Sequence, residues 1–115
     1  MAIDNSLLKG STATLLLKLL EEKDMYGYEM AETLAKRSDN TFMTKAGTLY
    51  PILHAMEDKK LIESYEVTAQ NDRVRKYYRL TASGKAVLAD KQAEWIVFTS
   101  AVNKVLNGGN TYAIV

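Results

Sequence analysis

A single histidine, His54, and no cysteine among 115 residues leave this chain almost nothing with which to hold a transition metal, close a disulfide or form a thiolate nucleophile. Its acids are scattered along the sequence with no base, nucleophile or paired carboxylates grouped for catalysis, so neither an enzyme nor a cofactor is expected. The residues that can do chemistry are instead cations and hydroxyls set in ground free of acids. From Thr41 to Met56 there is no Asp or Glu, and this stretch carries Thr44, Lys45, Thr48 and Tyr50. From Arg73 to Ala89 there is again none, while Arg73, Arg75, Lys76, Arg79 and Lys85 fall within it. A surface that approaches polyphosphate needs such ground, because neutralised phosphates release counterions and a nearby carboxylate opposes the approach. The formal net charge of +1 makes no such argument by itself; the positive charge is local.

A second constellation is apolar. Trp95, Ile96, Val97 and Phe98 are consecutive, Leu88, Trp95 and Val102 repeat every seven residues, and Phe98 and Val105 fill the positions between. One packed face of a helix cannot bury successive residues at 100° intervals, so this segment must be covered on more than one side. A second copy of the chain is the simplest cover, with Leu8 and Leu15 near the N-terminus joining Leu88, Trp95, Phe98, Val102 and Val105 in the interface. A stripe of large apolar residues at helical spacing is usually core. Yet Trp95 and Phe98, with Leu88, also suit a site that brackets a small planar aromatic molecule between two copies.

These residues need elements to position them. The chain is one domain in length, with 47% hydrophobic and 25% charged residues, the composition of an ordinary globular protein. No apolar run approaches the ~20 residues of a membrane span, and residues Met1 to Lys9 lack the pattern of a secretory signal, so a cytoplasmic protein without membrane partners is expected. Leu8, Leu15, Leu16, Leu19 and Leu20 form one stripe of a helix over Asn5 to Glu22, with Asp4 as a candidate cap and Ile3 and Leu8 as a hydrophobic staple. A second helix runs from Gly27 to Arg37 with Tyr28, Ala31, Leu34 and Ala35 inward, and Ser38, Asp39 and Asn40 form a turn.

Thr44 is a candidate N-cap for a third helix reaching Lys60, kinked at Pro51. Lys45, Leu49, Ile52, Leu53 and Met56 fall on one face of it, and Thr44, Gly47, Thr48, Pro51, His54 and Ala55 on the other. Two β-rich runs, Leu61 to Thr68 and Arg73 to Thr81, flank the polar turn Ala69 to Asp72 and predict a hairpin. Val74, Lys76, Tyr78 and Leu80 share one side of it, and Arg73, Arg75, Tyr77 and Arg79 the other. Thr81 or Ser83 caps a last helix from Ala82 to Leu106, stopped by Gly108 and Gly109.

Three helices followed by a two-stranded ribbon form a winged helix-turn-helix, here a mostly α fold with a β-hairpin wing and an added C-terminal dimerisation helix. Residues 1–81 form the DNA-binding domain in this reading, 82–107 the dimerisation helix and 108–115 a flexible tail. The run Ala46-Gly47-Thr48-Leu49-Tyr50-Pro51-Ile52-Leu53-His54-Ala55-Met56-Glu57 resembles the signature of PadR-family transcriptional regulators. Tyr26-Gly27-Tyr28-Glu29 is similar to that family's start of the second helix, and Arg75-Lys76-Tyr77-Tyr78-Arg79-Leu80-Thr81 with Gly84 to its wing strand and exit. The resemblance implies a homodimeric repressor that binds an inverted repeat in double-stranded DNA, and a short branch of the family that dimerises through the last helix. It also implies an effector site in an aromatic cavity at the dimer interface.

Thr44, Lys45, Thr48, Tyr50, Arg73, Arg75 and Lys76 are then the expected DNA-facing residues, although Tyr50 serves equally as packing and the wing cations serve equally to solubilise a hairpin. Asp72 opposes phosphate at the wing tip. A winged helix also serves as a protein-interaction adaptor, which the near-zero net charge suits, and a drug-binding protein without a DNA role is a third reading.

Overall fold

The computed structural model describes residues 5–108, with side chains from Gly10 onward. Its elements in chain order are α1 (Asn5–Glu22), β1 (Met25–Tyr26), α2 (Gly27–Arg37), α3 (Ala46–Asp58), β2 (Ile62–Thr68), β3 (Val74–Leu80) and α4 (Ala82–Leu106). This is a winged helix-turn-helix with a long C-terminal helix. The Asp4 cap, the staple of Ile3 with Leu8, the side chain of Leu8 and the tail beyond Gly108 lie outside the described residues.

Leucines at helical spacing explain α1: Leu16, Leu17, Leu19 and Leu20 are buried, and Leu15 packs half-buried against them. They meet Met30 and Leu34 of α2, Leu49, Leu53 and Met56 of α3, Ile62, Tyr78 and Leu80 of the sheet, and Leu88 of α4 in one core. Arg37 forks onto the Glu22 carboxylate and ties the end of α2 to the end of α1. That hydrogen-bonded guanidinium holds the Glu22 carboxyl below its usual range.

The sheet has three strands, not two. Met25 and Tyr26 pair antiparallel with Tyr78 and Tyr77, so β3 lies between β1 and β2. β1 leaves no signal in the sequence because two residues are too few to show alternation and their partner lies some fifty residues away in sequence. β1 also displaces the inward face of α2. With Gly27 buried in the first turn, Met30 and Leu34 follow it inward and Tyr28, one residue round the helix, points out at 66% exposure. The expected burial of Tyr28 is therefore overturned.

α3 starts later than the Thr44 cap predicted. Lys45 is the capping residue, without a side-chain bond to the helix, and its carbonyl accepts from the amides of Thr48 (2.9 Å) and Leu49 (2.8 Å). Lys45 thus lies at the mouth of the helix, exposed. The helix runs on through Pro51 to Asp58. Its end is a Schellman motif: Leu61 N–H donates to Met56 O, Lys60 N–H donates to Glu57 O, and Lys60 takes φ 62°. Lys60 therefore lies outside the helix.

β2 and β3 pair in unbroken register from Ile62 with Leu80 to Thr68 with Val74. Asp72, at φ 59°, closes the tip, with its N–H donating to Ala69 O at 3.1 Å. Thr81 caps α4 by accepting from Gly84 N–H at 3.0 Å. Only Gly84 and Leu88 of this helix are buried. Beyond Leu88 the helix is largely exposed, with α1 alongside part of it, and the Cα radius of gyration is 17.2 Å, against about 13 Å for a compact chain of this length.

Candidate nucleic-acid interface and apolar groove

The solvent face of α3 combines exposure with an absence of acids. Lys45, Ala46, Gly47, Thr48, Pro51, His54 and Ala55 are exposed, and Thr44 is half-buried at the approach to the helix. Small residues dominate, which lets a helix enter a groove closely, and Lys45 stands at the end where backbone N–H groups are unsatisfied and anions are favoured. Met43, 70% exposed, precedes them. His54 sits on this face as well, and no cluster of potential metal ligands occurs among the described residues.

Tyr50 has a packing role that the sequence left open. A β-carbon at Gly27 would lie 2.5 Å from the Tyr50 hydroxyl oxygen and 2.8 Å from its ring. The glycine therefore exists to let this ring seat on the first turn of α2, where it fixes α2 against α3, while 39% of Tyr50 stays exposed. Tyr28 sits beside that contact and is the exposed aromatic that the sequence reading did not find.

The wing cations divide. Arg73 lies exposed at the tip beside Asp72. Arg75 is half-buried with its guanidinium 4.5 Å from the Tyr26 ring, and Arg79 pairs with Glu63 at 2.9 Å over the Tyr65 ring. Lys76 lies 3.7 Å from Glu57 of α3 and 5.5 Å above the Tyr78 ring. Arg75 and Lys76 are thus already engaged, and only Arg73 of the three keeps the simple exposed setting expected of a phosphate contact.

Behind Arg75 a row of tyrosines crosses all three strands. Tyr77 stacks on Tyr65 and meets Tyr26 edge to face, with centroids 5.8 and 5.4 Å apart. Tyr65 reaches over β3 to donate to Asp24 Oδ2 at 2.6 Å, a bond that holds the Tyr65 hydroxyl above its ordinary pKa. This row staples β1 to the wing.

The second site is a groove of about 530 Å³ between α1 and α4. Trp95 and Phe98 form one wall, with ring centroids 6.0 Å apart, and Leu15 of α1 faces them. Leu88 is fully buried and belongs to the groove floor and the protomer core, so it offers no surface to a second subunit. Val102 is half-buried and Val105 is 78% exposed. Sequence reasoning missed Phe42, which reaches the groove from the loop before α3, and Lys18 and Lys91 at its rim. No periodic signal marks a loop aromatic, so only folding brings it there.

A model of the transcriptional regulator PadR-like family matches residues 16–90. A solved PadR family transcription regulator from Clostridium difficile is 38% identical, covering 84% of this chain and 98% of its own, with a TM-score of 0.75. A transcriptional regulator from Clostridium thermocellum superposes with a TM-score of 0.82 at 31% identity, covering 90% of this chain and 97% of its own. An uncharacterised protein of Lysinibacillus sphaericus is 33% identical over 106 residues, 92% of this chain and 97% of that protein.

Proposed function

From the premise that this chain belongs to the PadR-like family of DNA-binding transcriptional regulators, we propose that it acts as a homodimeric repressor on an inverted repeat, released by a planar aromatic effector. The observation that carries this reading is the surface of α4. Trp95, Ile96, Val97, Phe98, Val105 and Leu106 are between 55% and 78% exposed along the second half of this helix. Contiguous apolar surface of this kind on a soluble protein marks an interface. A two-fold pairing through α4 makes the assembly isologous, and two-fold recognition helices read a two-fold operator with half-sites about 34 Å apart. Residues 1–81 then serve DNA binding and 82–107 dimerisation, and no helix among the described residues is long and apolar enough to cross a membrane. The protein works where its DNA is, in the cytoplasm.

In this reading α3 enters the major groove with Thr44, Lys45 and Thr48 at its leading end, Tyr50 backs that end against α2, and Arg73 follows the neighbouring backbone. Quantitative footprinting of the gene's upstream region over a salt series is the test. Protection should cover two half-sites in inverted orientation, and affinity should fall steeply with salt. Lys45→Ala should weaken binding to every duplex and lower the salt slope by about one, whereas Thr48→Ala should change the ranking of operator variants. Absence of any protected upstream duplex at low salt would remove the DNA reading of this surface.

The effector site is the groove beside Trp95 and Phe98. A planar aromatic, partly cationic molecule gains stacking and cation-π attraction there, each on the order of 1 kcal/mol. Phe42 extends the groove to the loop that leads into α3, so an occupant that prefers one loop position biases the recognition helix. Trp95 is the only tryptophan, which gives a direct signal. Planar aromatics should quench it saturably at roughly micromolar concentration, and Trp95→Ala, with Phe98 fluorescence too weak to substitute, should lose most of that affinity by calorimetry. Undiminished calorimetric affinity in the variant would return Trp95 to a purely structural role.

A further inference from the structure

We propose that Glu57, Ser64 and Lys76 form a brace that sets the angle between the recognition helix and the wing, and that Lys76 supports DNA binding through Glu57 rather than by touching phosphate. The proposal rests on the DNA-binding reading above for its functional consequence, and on geometry alone for the brace itself. Glu57 stands at the penultimate position of α3, half-buried, and its two carboxylate oxygens go to two different strands. Oε2 accepts from Ser64 Oγ on β2 at 2.6 Å, and Oε1 lies 3.7 Å from Lys76 Nζ on β3.

The register explains why one carboxylate can reach both. Ser64 is opposite Tyr78 and Lys76 is opposite Glu66, so Ser64 and Lys76 are diagonal neighbours on the face of the hairpin that turns toward the helices. Residues 59–61 connect α3 to β2, a link short enough to fix the distance between the elements. It does not fix the rotation of the hairpin about that link. A ligand pair on both strands does.

The surroundings of Lys76 argue against a phosphate contact. Its ammonium lies over the ring of Tyr78, which is 1% exposed, and it has Glu57 in front of it and Glu66 opposite it on the neighbouring strand. A phosphate approaching there meets two carboxylates. The Ser64 bond is charge-assisted and short, which makes it the stronger arm; the Lys76 arm is a half-exposed ion pair of modest strength. Glu57, Ser64 and Lys76 are accordingly positioning residues.

The two roles for Lys76 predict opposite signs. If Lys76 binds phosphate, Glu57 competes for it, and Glu57→Gln should tighten operator binding while Lys76→Met lowers the slope of log K against log salt by about 0.9. As a brace, Glu57→Gln and Lys76→Met should each weaken binding, by roughly two- to fivefold for an ion pair of this exposure, and leave the salt slope unchanged. The Glu57→Lys/Lys76→Glu exchange should bind better than either of its single variants. A readout independent of DNA is amide hydrogen exchange on the full-length protein. Glu57→Gln and Ser64→Ala should speed exchange along β2 and β3 with no change in α1, which also shows that the variants are folded. Tighter binding by Glu57→Gln, a lowered slope for Lys76→Met, or unchanged wing exchange in Ser64→Ala would each overturn the brace. If the unmodified protein protects no duplex, the DNA reading fails by itself, and the exchange experiment still decides whether the brace exists.

Discussion

Replacing Gly84 with alanine is expected to cost about 3 kcal/mol of stability, the upper end of what overpacking a core site costs when it cannot relax cheaply. Gly84 is the third residue of α4, buried where the helix docks on the end of the α3–β2 connection. A β-carbon built there falls 2.1 Å from the carbonyl oxygen of Leu61 and 2.6 Å from Leu80 Cδ1. The first of these obstacles is backbone and is held in place. Leu61 O accepts from Thr81 N–H at 3.1 Å, and the Thr81 hydroxyl lies within hydrogen-bond distance of the carbonyls of Lys60 (2.7 Å) and Leu61 (2.9 Å). The same hydroxyl caps α4. Relieving the clash therefore moves the start of α4 and breaks the cap that begins it, so local relaxation costs more than it recovers. Urea unfolding at fixed protein concentration is the measurement, and Gly47→Ala is the control. A β-carbon at Gly47 meets nothing within 4 Å, and alanine there should hold or raise stability by up to about 1 kcal/mol. A Gly84→Ala midpoint equal to that of the control would show that this docking is far softer than its geometry implies.

The second large effect is on assembly. Phe98→Asp combined with Val105→Asp should give a monomer in sedimentation velocity at micromolar concentration and should cost roughly 10²–10⁴-fold in operator affinity, the gain that linking two half-site contacts provides. These positions are seven residues apart and 58% and 78% exposed, so the substitutions leave the protomer core untouched. Carboxylates in an apolar two-fold interface face their own copies across the axis, and burying them unpaired is far costlier than leaving them in water. The winged domain should stay folded because its core uses Leu88 and the residues before it. Binding to a single half-site should persist at low salt. A variant that remains dimeric, or a monomer with undiminished operator affinity, would place the interface elsewhere.

Much of this architecture was legible in local patterns. The bounds of α1, α2 and α4 follow from leucine spacing, from Thr81 as a side-chain cap and from the turn residues after Arg37, signals carried within a few residues of the event they mark. The hairpin was equally readable, because its two strands flank a polar turn and pair in order. The outer face of α3 could be read before folding because its small and hydroxyl residues recur at 100° steps in a stretch without acids, and the PadR-like motif lies on that same helix.

What only the tertiary structure decided are matters of pairing between distant residues. β1 is a strand because Tyr77 and Tyr78 lie beside it, and that same placement turns Tyr28 outward. α3 begins at Ala46 because the Lys45 carbonyl takes up the first helical amides, and it ends in a left-handed Lys60 where no glycine announced a stop. Leu88 falls on the same seven-residue repeat as Trp95, yet it is buried while Trp95 is exposed, because the body of the protomer covers only the first turns of α4. Periodicity tells which residues share a face of a helix; how far along the helix that face is covered depends on where the other elements stop. Lys76 shows the same limit for charge. Its sequence neighbours present it as a free cation of the wing, and its partner, Glu57, arrives from another element nineteen residues earlier only when the chain folds.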